Sequence, residues 1–110
     1  MLVKVFIKRN IKEGKEKEVF ALIKKLRFKA MNQEGYISGE NLVSTDDPQK
    51  LMVVSTWQGL KNWTKWKKSD ERKNIEVQLE ELQSAPTTCE SFVFRKHRIS
   101  VQAGFSDFAG

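Results

Sequence analysis

The chain has 110 residues, 39 % of them apolar and 31 % charged, with a net charge of +6. That length suits one domain with a single modest core, and the composition excludes a disordered or fibrous chain. No apolar run approaches the ~20 residues that cross a bilayer, so no membrane partner is expected.

Met1 to Lys8 alternates apolar and charged residues and reads as a strand rather than a leader peptide. Cys89 is the lone cysteine, which leaves no intrachain disulfide and no call for an oxidising compartment. The expected location is cytoplasmic. The positive charge is concentrated: residues 61 to 73 hold six cations (Lys61, Lys65, Lys67, Lys68, Arg72, Lys73) against Asp70 and Glu71, a local charge of +4. Such a patch attracts phosphates or acidic ligands, or is simply a solvated helix face.

In residues 2–10, Val3, Val5, Ile7 and Arg9 share one strand face, and Leu2, Lys4, Phe6 and Lys8 the other. Asn10 to Gly14 turns. From Lys15 the period becomes helical, with Val19, Leu22, Ile23, Leu26 and Ala30 on one stripe and Phe28 about opposite it. Glu34-Gly35 is the stop signal for this helix, expected near Asn32. Tyr36 to Ser44 reads as a second strand with Gly39 as a candidate bulge, and Ser44 to Gln49 is a turn around Pro48.

Leu51 to Trp57 is nearly all apolar and predicts a central strand. After Gln58-Gly59, Leu60 to Trp66 predicts a short helix. Ser69 is placed to cap a further helical segment whose core stripe is Ile75, Leu79 and Leu82. Pro86 follows the helix end, and Thr87 to His97 predicts the fourth strand. The order β-α-β-β-α-β is the ferredoxin-like α+β plan, an antiparallel sheet with its helices on one face. Residues 1–97 then form the domain and residues 98–110 a C-terminal tail, whose Ile99, Val101, Phe105 and Phe108 suggest docking. The strands offer apolar residues to both faces, and a second copy of the chain is the economical cover. A homodimer through the open sheet faces is expected.

Several chemistries lack their residues. The six glycines are scattered, so no phosphate-cradling loop forms. One histidine and one cysteine make no zinc site. Cys89 and His97 lie about 26 Å apart along a single strand and cannot be a catalytic pair. Cys89 reads as a buried small hydrophobe and His97 as a surface histidine. Glu76 and Glu80 are one helical turn apart but read as a solvated face. An RNA-recognition sheet needs exposed stacking aromatics on its central strands, which Lys50 to Trp57 does not provide, so nucleic acid is an unexpected partner.

The tryptophans are the informative group, since Trp57, Trp63 and Trp66 fall within ten residues. Trp63 and Trp66 are i, i+3 on a helix and Trp57 ends the central strand. They either close the core or wall a pocket for a flat aromatic small molecule, with lysines at its mouth.

Lys8-Arg9 with Gly14, Glu34-Gly35-Tyr36, and Val54-Ser55-Thr56-Trp57 running into Trp63-Thr64-Lys65-Trp66-Lys67-Lys68-Ser69 resemble the antibiotic biosynthesis monooxygenase (ABM) domain family, over residues 2 to about 96. The resemblance implies a dimeric α/β barrel of ferredoxin-like protomers. It also implies one of several activities: oxygenation of polycyclic phenols to quinones without metal or flavin, haem degradation, or none established.

The haem-degrading branch carries a histidine where this chain has Glu76 and an asparagine where it has Ile7, and a carboxylate is a poor haem-iron ligand. The quinone-forming branch carries an asparagine at the position of Val53, which cannot hydrogen-bond a phenolate. Asn41, Asn62 and Arg9 are the alternative donors. The reading is therefore a monooxygenase of aromatic or polycyclic molecules needing no cofactor, with a non-catalytic binding or sensing domain as the alternative. The substrate-contacting candidates are Trp57, Trp63, Trp66, Asn62 and Glu76, with no catalytic residue or metal ligand assigned.

Overall fold

Alternation at the N-terminus forms strand β1 (Val3–Ile11), whose odd-numbered residues are all buried. A turn at Gly14, with φ of +86°, leads into helix α1 (Glu16–Ala30). The structure, a computed structural model, describes residues 1–95, and the expectations for His97 and the tail lie outside them. Strands β2 (Tyr36–Val43) and β3 (Lys50–Trp57) follow, then helices α2 (Leu60–Lys67) and α3 (Asp70–Glu81) and strand β4 (Gln83–Val93).

All pairings are antiparallel, in the order β2-β3-β1-β4. The expected ferredoxin-like α+β plan is the observed one, with β3 in the sheet interior as its apolar sequence requires. Val3, Val5 and Ile7 of β1 meet Val19, Ile23 and Leu26 of α1 and Ile75 and Leu79 of α3 in one core. Ser69 caps α3 as its position predicts, its Oγ accepting from the Arg72 N–H at 3.2 Å.

Three local expectations are corrected. The irregularity in β2 lies between Tyr36 and Ser38 rather than at Gly39. A Cβ on Gly39 would stand 2.5 Å from the Tyr36 hydroxyl, so this glycine serves to seat the tyrosine. Strand β4 begins at Gln83, four residues earlier than its apolar pattern suggests, and Pro86 lies inside it. An edge strand tolerates a proline at a bulge, and the pairing of β4 with β1 shifts register between Lys8 and Asn10, opposite Pro86. The third concerns the charged residues of α3. Arg72 and Glu76, read as solvated, are buried and mostly buried respectively.

The sheet face away from the helices carries Phe6, Val54, Leu42 and Phe92. Phe6 and Phe92 meet edge to face at 5.5 Å, and Phe92, Phe94 and Leu42 are exposed. Phe28 on the outer face of α1 is 70 % exposed. No helix among the described residues is long and apolar enough to cross a membrane.

Candidate active site

Trp57 closes β3 and turns toward the helices, because the residues of β3 alternate and Leu51, Val53 and Ser55 share its face. Its indole N–H donates to Ser55 Oγ at 3.1 Å, which satisfies the one polar atom of a buried ring. Tyr36 meets Trp57 edge-on at 5.3 Å and Trp63 meets it at 5.9 Å with a 55° tilt. All three tryptophans are buried, and all three line one cleft between sheet and helices. The two readings of these residues therefore coexist. They belong to the core, and their free edges form a wall.

The cleft is narrow, with a cavity volume of ≈ 50 Å³. A fused-ring ligand requires the mouth to widen.

Its floor is apolar and its polar groups are few. Ile7 and Val53 come from the sheet and Ile23, Leu26 and Ala30 from α1, while Asn41, Arg27, Arg9 and Arg72 supply donors. Asn41 sits opposite Val53 across the β2–β3 pair, and its Oδ1 accepts from Arg27 Nη2 at 3.1 Å. Thus the valine position that lacks a hydrogen-bonding group has an amide beside it on the neighbouring strand.

At one end a charged cluster ties sheet to helix. Arg9 forms a forked pair with Glu76, Nη1 to Oε1 at 2.9 Å and Nη2 to Oε2 at 2.7 Å. Arg72 Nη2 approaches the same Oε2 at 3.0 Å, and its guanidinium lies 5.2 Å from the Trp63 ring centroid. The side chains of Arg9, Arg72 and Glu76 are 1 %, 9 % and 15 % exposed. Arg9 Nη1 also donates to Gln83 Oε1 and Thr87 Oγ1, both at 3.3 Å, which recruits the start of β4. Burial pushes the Glu76 pKa up, but the Arg9 hydrogen bond and the charges of Arg9 and Arg72 outweigh it and hold the carboxyl below its ordinary range. Burial lowers the Arg72 pKa, with Glu76 opposing.

Glu76 is not among the residues that line the cleft, and neither is Asn62. Asn62 packs instead under the Gly35 turn, where a Cβ on Gly35 would run into its side chain. The paired-carboxylate arrangement does not form: Glu76 faces the arginines, while Glu80 Oε2 accepts from the Thr87 N–H at 3.3 Å. Cys89 is half-buried, and burial raises its thiol pKa against the opposing charges of Arg72 and Lys67.

Arg9 is among the donors expected from the sequence, whereas Arg72, Arg27 and Tyr36 are not. The spacing of Arg72, Ile75 and Leu79 at i, i+3, i+7 was the available signal, since it puts the arginine on the core stripe. Tyr36 opens a strand directly after a glycine turn and offered no periodicity to read.

The model of the antibiotic biosynthesis monooxygenase family matches residues 2–77. The chain belongs to that family. The matched segment contains β1 through most of α3, hence every tryptophan and all three cleft arginines, and stops before β4. No curated protein matches the sequence significantly.

Solved structures share the ABM fold at low identity. A conserved protein of Methanosarcina mazei Go1 superposes with a TM-score of 0.79 at 23 % identity, over 84 % of this chain and 91 % of that one. Rv0793 of Mycobacterium tuberculosis gives 0.78 at 15 % identity, over 88 % and 98 %. SnoaB of Streptomyces nogalater, a cofactor-independent oxygenase, gives 0.77 at 12 % identity, over 90 % and 98 %.

For the haem-degrading branch, the donor set does not fit. Glu76 stands at the histidine position but is engaged by two arginines, and the described residues lining the cleft include no histidine, cysteine or carboxylate. Among the described residues no group of three His, Cys, Asp or Glu side chains is placed to hold a metal ion.

Proposed function

We propose that the protein is a monooxygenase of aromatic or polycyclic small molecules that works without metal or flavin. The observation that carries this reading is the cleft walled by Trp57, Trp63 and Trp66 in an ABM domain. Indole edges and an apolar floor suit a flat ring system, and Asn41 and the arginines supply the few polar contacts that orient it. The oxygen chemistry is borne by the substrate. An activated ring CH₂ loses its two hydrogens, one atom of dioxygen becomes the new carbonyl oxygen, and the other leaves as water. The chain contributes exclusion of bulk water and donors near the oxygen where charge develops.

A non-catalytic binding domain is the second reading, favoured by Val53, which lines the cleft where a hydrogen-bonding group would be most useful. Anthrone titrated with parallel recording of oxygen uptake separates the two. Uptake that falls on Trp66→Phe supports the oxygenase, whereas saturable binding with no uptake refutes it and leaves the binding domain.

The functional unit is a homodimer with the open sheet faces packed together. Exposed Phe92, Phe94 and Leu42 on that face, beside the Phe6–Phe92 pair, support it. A monomeric mass by light scattering at micromolar concentration rules it out.

A further inference from the structure

We infer that the cleft selects a planar aromatic that carries a negative charge, and that Arg72 with Arg27 and Arg9 reads that charge. The inference rests on the cleft being the ligand site and names the class of ligand within it. Among the described residues lining the cleft are three arginines and no carboxylate. Glu76, the mostly buried carboxylate shared by Arg9 and Arg72, lies outside the lining, so the Arg9–Arg72–Glu76 cluster keeps a net charge of +1 next to the cavity and Arg27 adds a further cation.

Two further observations bear on the charge of the ligand. Arg9 Nε is buried and has no hydrogen-bond partner among the described residues, and an orphaned donor on a charged group is costly to bury. Arg72 spends one Nη on Glu76 and makes no other side-chain hydrogen bond among the described residues, and its guanidinium lies over the Trp63 face at the cleft. Arg27 is engaged by an amide oxygen and forms no ion pair among the described residues. A guanidinium lying on an indole, beside further cationic donors, matches a ring bearing a carboxylate. The ring stacks while the oxygens take the fork.

The test compares matched pairs on the full chain by titration calorimetry: naphthalene-2-carboxylate against naphthalene-2-carboxamide, and anthracene-2-carboxylate against its amide. The acid should bind at least about tenfold tighter than the amide of the same ring system, as charge-assisted bonds to a desolvated guanidinium do. Arg72→Met should reduce that preference to about threefold or less while sparing the amide affinity. Arg27→Gln lies outside the buried cluster and should reduce it in a protein whose melting curve is unchanged, so a folding defect at Arg72 does not decide the matter.

Equal affinity for acid and amide, or a preference for the amide, overturns the charge reading and leaves the cleft as a binding site. A preference for the acid that survives both substitutions overturns the assignment to these arginines. Failure of every acid and amide to bind overturns the cleft reading itself, and this inference with it.

Discussion

Replacing Glu76 by Gln should destabilise the protein far more than removal of any surface carboxylate. The substitution keeps the side chain's size and one acceptor oxygen but removes the anion that two buried cations share. Arg9, 1 % exposed, and Arg72, 9 % exposed, are then left without a counterion among the described residues. Breaking a buried ion pair from one side costs about 3–5 kcal/mol, because the remaining charge stays desolvated. Against the roughly 5–15 kcal/mol that stabilises a domain of this size, that is a large share. At about 4–8 °C per kcal/mol the midpoint of thermal unfolding should fall by about 12 °C or more. The control is Glu71→Gln, which removes a contact of 3.9 Å between the partly exposed Lys29 and Glu71 side chains and should cost no more than about 0.5 kcal/mol. Guanidinium unfolding followed by circular dichroism measures both. A loss below about 1 kcal/mol for Glu76→Gln would place the cluster with solvated surface pairs and refute the argument.

The same cluster should shape the acid limb of stability. Because the folded pKa of Glu76 is held below its unfolded value, its contribution is complete above about pH 5 and is lost as pH falls through the folded value. Unfolding between pH 2 and 7 should show that loss in the native chain and a shallower limb in Glu76→Gln. Gly35→Ala should cost more than Gly14→Ala, although both glycines have φ near +87°. The left-handed backbone alone costs about 1–2 kcal/mol, and only Gly35 also drives a Cβ into Asn62; equal losses in chemical unfolding would contradict this. Ser69→Ala removes the Oγ that accepts from Arg72 N and should cost about 1 kcal/mol by the same assay.

Much of the fold was legible because burial was written in simple periods. Period two in Val3–Ile11 and period 3.6 in Val19, Ile23, Leu26 and Ala30 both arise from a single buried face. The start of β4 was not legible. Gln83-Ser-Ala-Pro-Thr has no apolar alternation, and pairing with β1 through bulges places it in the sheet despite its proline. In the cleft, the tryptophans were visible as large apolar residues at close spacing. The arginines were not, because local sequence cannot distinguish a solvated cation from one buried against a partner 67 positions away, as Arg9 and Glu76 are. Net charge misled for the same reason. Arg72 was counted with five surface lysines, although it alone of the six is buried.

One cluster therefore serves two ends, since the ion pairs that fasten α3 to β1 also leave the cleft cationic. These roles compete for the same guanidinium groups, and the competition can be measured. In Glu76→Gln, Arg9 and Arg72 lose the anion they share and the charge of that cluster rises from +1 to +2. A bound aromatic carboxylate then replaces part of what was removed. Ligand that binds only the folded state stabilises it by RT ln(1 + [L]/Kd), about 2.7 kcal/mol at a hundredfold excess over Kd. Naphthalene-2-carboxylate at fixed concentration should accordingly raise the melting midpoint of Glu76→Gln by more than it raises that of the native chain, and the amide should raise both alike. If the acid lifts the two midpoints equally, the charge that fastens α3 and the charge that meets the ligand are independent, and the cleft's preference does not come from this cluster.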